Sequence, residues 1–141
     1  MTPGNDLYRF IEAQKGSYEI ALTEIRRGKK TSHWMWYIFP QIHGLGSSET
    51  TRFFAIKDKA EATLYLKHPL LGARLIEICK ELLSLNTSDP VKIFGSVDGM
   101  KLKSSMTLFS LLEPPNAIFQ KVLSKFFDGE KDKSTIKILG Y

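Results

Sequence analysis

The nine residues SHWMWYIFP, 32–40, decide how the chain folds. Trp, Tyr, Ile and Phe favour extended chain, so a strand is one reading. A helix is the other, because Ser32 can cap its first amides and Pro40, with no amide hydrogen, can stop it. No second strand is evident elsewhere for pairing, and that selects the helix. A helix over 32–39 would be apolar on every side and therefore buried. Its four aromatic rings can each bury about 150–250 Å², enough to anchor a core.

Working outward, apolar residues recur at helical spacing in nearly every segment. Leu7, Phe10, Ile11 and Gln14 outline a short first helix behind an Asp6 cap. Ser17 caps a second, with Tyr18, Ala21, Leu22 and Ile25 at i, i+3, i+4 and i+7 and Gly28 in the left-handed closing position. Asp58 opens a helix running to about Lys67. Pro69 takes the first helical position of the next, and Leu71, Leu75, Ile78, Leu82 and Leu85 form its stripe. Asp89 and Pro90 begin a short helix that Gly95 stops. A longer one follows over 96–112, with Val97, Met100, Met106, Phe109 and Leu112 apolar, ended by Pro114 and Pro115. Segments 116–127 and 132–139 complete the pattern. All six prolines fall between or at the edges of these segments, and there is no repeat, low-complexity tract or dividing linker. The expected fold is all-α: a single compact domain, residues 1–141, of about seven or eight short helices.

The 141 residues carry a net charge of +5, which raises encounter rates with anionic partners, although acids alternate with the basic residues along most of the chain. The one cationic cluster is RRGKK, 26–30. A single cysteine, Cys79, excludes an internal disulfide framework and fits a reducing compartment. The first residues show no cationic and apolar leader, and the longest apolar run, 34–39, is far too short to span a bilayer. The expected location is cytoplasmic, without membrane association, as a monomer or homodimer.

Polar residues collect at both ends of the aromatic stretch: Lys29, Lys30, Ser32 and His33 before it, Gln41 and His43 behind it. Free amides at a helix start, with a serine and lysines beside them, make an anion site. The same RRGKK cluster also complements the C-terminal end of the preceding helix, and both readings stay open. The loop HGLGSS, 43–48, reads either as a nest of amides for a phosphate or as a plain turn. It is neither a P-loop nor a dinucleotide fingerprint, since Glu49 stands where the third glycine would. The three histidines lack metal-ligand spacing, and no metal or cofactor is expected. His68 reads as a residue that opens a helix, and Cys79 as a core thiol.

In SVDGMKLKSSMTLF, 96–109, Asp98, Lys101, Ser104 and Ser105 would be neighbours on one helix. A lysine there can face a phosphate, or activate a serine if burial lowers its pKa; an ordinary surface Asp–Lys pair is the plainer alternative. The expected ligand-binding set is Lys30, Ser32, His33, Trp34, Trp36, Gln41, His43, Lys101 and Ser104. The catalytic candidates are His33 or His43 as base, with Asp98 orienting. These residues suggest binding of a small anionic or phosphorylated ligand such as a nucleotide, with hydrolysis or glycosidic cleavage as the least forced chemistry. A nucleic-acid-binding or protein interaction module without catalysis is the alternative.

The strings GKKTSHWMWYIFPQIHGLGSS, YLKHPLLGARL, IFGSVDGMKLKSSMTLF and DKSTIKILG resemble, in order and spacing, the bacterial family called domain of unknown function 1810. The resemblance spans nearly the whole chain and implies a single compact all-α domain. It implies no activity, cofactor or catalytic set. Members sometimes carry the label calpastatin, but calpain inhibitors of that name are long, repetitive and disordered, whereas this chain is short, non-repetitive and rich in core formers.

Overall fold

Side-chain caps fix most of the helix starts. The computed structural model describes residues 7–141, so the Asp6 cap lies outside the described residues. Among these are nine helices: α1 (Tyr8–Gln14), α2 (Ser17–Arg26), α3 (Met35–Ile38), α4 (Glu49–Phe54), α5 (Lys59–Lys67), α6 (Leu71–Leu83), α7 (Pro90–Ser110), α8 (Ala117–Phe127) and α9 (Lys133–Ile138). No strand occurs among the described residues, only an isolated parallel bridge between Ile42 and Ile56. Asp58, Asp89, Asn116 and Asp132 each accept a first-turn amide of the helix that follows, as their sequence positions suggest.

Several boundaries differ from the sequence reading. Ser17 is the first residue of α2 rather than its cap; Gly16, at φ 74°, precedes it, and the Ser17 hydroxyl accepts from Tyr37 instead. Gly28, at φ 76°, does follow α2 in the left-handed region that glycine tolerates best. Pro69 lies ahead of α6, whose opening amides at Leu70 and Leu71 are met by His68 Nδ1. The helix over residues 49–54 was not expected; it starts at Ser48, whose hydroxyl accepts from the Thr51 amide.

The chain breaks helical geometry at Gly95 (φ 82°, ψ 169°) and resumes, so α7 is two helical pieces joined at a kink. Met106, Phe109 and Leu112 are buried, but Val97 and Met100, read as part of the same apolar face, are 69% and 53% exposed. The reason is rotational: Val97 and Met106 are about two and a half turns apart, which puts them on opposite sides of one helix.

A single core joins all of this. Trp34, Tyr65, Phe10, Phe39, Phe109 and Phe119 are its largest fully buried side chains. Helix α7 packs on α8 and α9, while α6 packs on α2, α5 and α8. Buried Gln14 is fully used: its amide donates to the Tyr37 carbonyl at 2.8 Å and Tyr65 Oη at 3.1 Å, and its oxygen accepts from Arg74 at 3.3 Å. Cys79 is buried against Met106, and burial pushes its thiol well above the ordinary range.

The tightest approach is between α5 and α6 at Gly72, where a Cβ would stand 1.9 Å from the Leu66 carbonyl oxygen. Alanine in place of glycine normally favours a helix by about 1 kcal/mol. Here the backbone collision dominates. Gly72→Ala is expected to destabilise the fold by about 3 kcal/mol, read from the midpoint of urea unfolding.

Candidate functional site

The loop after α2 is organised by one buried carboxylate. Glu24 is 6% exposed and accepts four hydrogen bonds. They come from the Thr31 amide (2.7 Å), the Ser32 amide (3.0 Å), the Ser32 hydroxyl (2.5 Å) and Trp34 Nε1 (2.9 Å). Burial opposes ionisation, but these donors, led by the Ser32 hydroxyl, outweigh it and hold the carboxyl at about 2. Ser32 therefore does not cap a helix. Its hydroxyl and amide are drawn to Glu24, the chain turns through residues 31–34, and α3 shortens to the single turn from Met35. Trp34, 1% exposed, packs against Phe39 and Phe94.

Trp36 leaves this turn on another side. It borders a cavity of about 140 Å³ together with Gln41, Ile42 and Leu45. The far wall is Gly46, Thr51, Phe54 and Ala55, and Lys101 of α7 closes it. Backbone pairing fixes the two long walls against each other: the His43 amide donates to the Ile56 carbonyl and the Ile56 amide to the Gln41 carbonyl, both at 2.8 Å. Arg9 of α1 holds the end of α4 by donating to the Phe53 and Ala55 carbonyls and to Glu61 Oε1. Phe54 is braced by the rings of Phe10 and Tyr37. Gly46 leaves room for Thr51, since a Cβ there would lie 2.7 Å from the Thr51 methyl.

Lys101 is the one charged side chain among the described residues of this wall. Its Nζ sits 5.1 Å from the Trp36 ring centroid and 3.6 Å from Asp98 Oδ1. The other oxygen of Asp98 takes Lys30 Nζ at 2.8 Å, and Lys30 lies over the Trp34 ring at 5.0 Å. The Lys30 amide also donates to the Ile93 carbonyl, tying the loop to the first piece of α7.

Of the residues singled out in the sequence, Trp36, Gln41 and Lys101 meet at the cavity. Asp98 pairs with Lys101 and also with Lys30. Ser32 and Trp34 are engaged by Glu24. His33 and His43 are exposed, and neither is part of the cavity wall. Ser104 donates to the Met100 carbonyl at 3.2 Å, and Ser105 is buried with its hydroxyl unpartnered among the described residues; neither lines the cavity. In the RRGKK cluster, Arg26 pairs with Glu81 and Lys30 with Asp98, which leaves Arg27 and Lys29 exposed. No group of three or more His, Cys, Asp and Glu side chains suited to a metal ion occurs among the described residues, and no helix of the described residues is long and apolar enough to cross a membrane.

The sequence reading missed Glu24, Thr51 and Phe54. Glu24 lies at i+2 from Leu22 on an otherwise ordinary amphipathic helix, and only its partners mark it. For α4, the signal present was Ser48 three residues ahead of Thr51, a capping spacing that the glycines before it masked.

Residues 4–139 match the family model described as protein of unknown function DUF1810. The chain belongs to this family. It is also similar to the crystal structure of the conserved hypothetical protein Rv1873 from Mycobacterium tuberculosis, at 40% identity and a TM-score of 0.93, covering 96% of this chain and 97% of that one. No curated protein matches.

The ionised Glu24 stabilises the folded DUF1810 chain above the ordinary glutamate value of 4.5, and this contribution is lost as pH falls toward about 2. Screening at the half-buried Ser32 edge brings it to about 2 kcal/mol. Glu24→Gln is expected to lower neutral-pH stability by that amount and to flatten the acid limb of stability against pH, measured by urea unfolding from neutral to acid conditions.

Proposed function

We propose that the protein binds a small anionic ligand in the cavity between Trp36, Gln41 and Lys101. One observation supports this above the others: an aromatic, an amide and a cation, the last sixty residues further along the chain than Gln41, border one space whose remaining wall is mostly apolar. A few convergent polar groups in an apolar cavity are what fixes a ligand's orientation. Lys101 supplies the charge, Gln41 a donor and acceptor, and Thr51 a hydroxyl. At about 140 Å³ the space is below the range of about 300–1,000 Å³ usual for drug-sized ligands. It suits a small anion, or the anionic end of a larger molecule whose remainder stays outside. Among the described residues its wall contains no imidazole or carboxylate to act as a base, so the reading is binding rather than hydrolysis. The nucleic-acid alternative has less support, because two of the four cations in RRGKK are already paired.

Titration of the isotopically labelled protein with acetate and with sulfate, at constant ionic strength, should move the Trp36 indole resonance to saturation with at least one of them. Lys101→Met should weaken that binding about ten- to a hundredfold. Absence of saturable shifts, or equal affinity in the variant, overturns the proposal.

A further inference from the structure

We propose that Asp98 sets the charge of the ligand, so that the cavity selects monoanions, carboxylates in particular, over dianions. The inference rests on the anion-binding reading above and names the class of ligand that reading leaves open. Its basis is a three-charge cluster. Asp98 is a single carboxylate shared between two ammonium groups, Lys30 on Oδ2 at 2.8 Å and Lys101 on Oδ1 at 3.6 Å. Lys30 and Lys101 carry two positive charges and Asp98 one negative, which leaves a sum of +1.

The distribution of that charge matters as much as its sum. The Lys30 side chain is 8% exposed, covered by the Trp34 ring, and absent from the cavity wall. It is a fixed counter-ion to Asp98. Lys101 is held more loosely by Asp98 and is the charge that faces the cavity. A ligand with one negative charge brings the cluster to neutrality. One with two leaves an uncompensated charge among Trp36, Ile42, Leu45 and Phe54, and burying such a charge is strongly disfavoured.

The polar groups agree with a carboxylate. One oxygen can meet Lys101, and the other the Gln41 amide or the Thr51 hydroxyl. Thr51 Oγ1 accepts from Ser48 at 2.8 Å, which directs its own proton elsewhere. The apolar walls then cover a short alkyl or flat aryl remainder.

The test compares acetate and sulfate near neutral pH, where they carry one and two charges, by the same constant-ionic-strength resonance titration. The wild-type protein should bind acetate more tightly than sulfate. Asp98→Asn keeps the shape and raises the cluster to +2, and should shift the acetate-to-sulfate affinity ratio about tenfold toward sulfate. Lys30→Met lowers the cluster to zero and should shift the ratio the other way, which keeps the test available if Asp98→Asn does not fold. Wild-type preference for sulfate, or a ratio unmoved in the variants, overturns charge selection while Lys101-dependent binding of either ion preserves the anion site. Loss of neither ion's binding on Lys101→Met removes the anion site itself and this inference with it.

Discussion

The Glu24 carboxylate is the constraint on which the arrangement around the tryptophans depends. It collects two amides, a hydroxyl and a buried indole that would otherwise need a partner away from water. In doing so it competes with helix formation. Left to itself, the run from Ser32 has the composition and the cap to begin a helix at once. With the Thr31 and Ser32 amides bound to Glu24, helical geometry waits until Met35. Trp34 is thereby turned into the core and tied there, while Trp36, two residues on, emerges toward the cavity. A buried acid is held ionised in this way because hydrogen bonds to its charged form outweigh the cost of desolvation.

The cavity shows a different economy, in which the walls are fixed by contacts made elsewhere. The Ile42 and Ile56 bridge binds one wall to the other through the backbone, and Arg9 immobilises the α4 end through two carbonyls and a carboxylate. None of these interactions consumes the groups that face the space. Lys101 is the exception, since Asp98 reaches it from one turn earlier on α7. The Gly95 kink separates this piece of α7 from the piece that receives the Lys30 loop through Ile93. One piece supplies Asp98 and Lys101, and the other anchors the loop that carries Lys30.

Most of the fold is legible in the sequence because caps and prolines act locally. Asp58, Asp89, Asn116 and Asp132 each do what their position announces, and His68 opens α6 as its place before Pro69 suggests. What escapes local reading is rotation and partnership. Val97 and Met100 have the right composition for a core but the wrong angle relative to Met106. Ser32 has the right chemistry for a cap, but a carboxylate eight residues earlier claims it. At the cavity, Trp36, Gln41 and Lys101 stand out from the sequence by type and by company. Thr51, Phe54 and Ala55 do not, because they reach the site only through a short helix whose start hides behind glycines, and through tertiary contacts from α1.

The sealed thiol of Cys79 has a consequence for the chain as a whole. It is the sole cysteine, lies against Met106 where α6 faces α7, and is held protonated by its surroundings. An electrophile in solution meets no thiolate while the helices stay together. Alkylation must wait for α6 to separate from its neighbours, which makes the rate of that reaction an intrinsic clock for breathing of the interior.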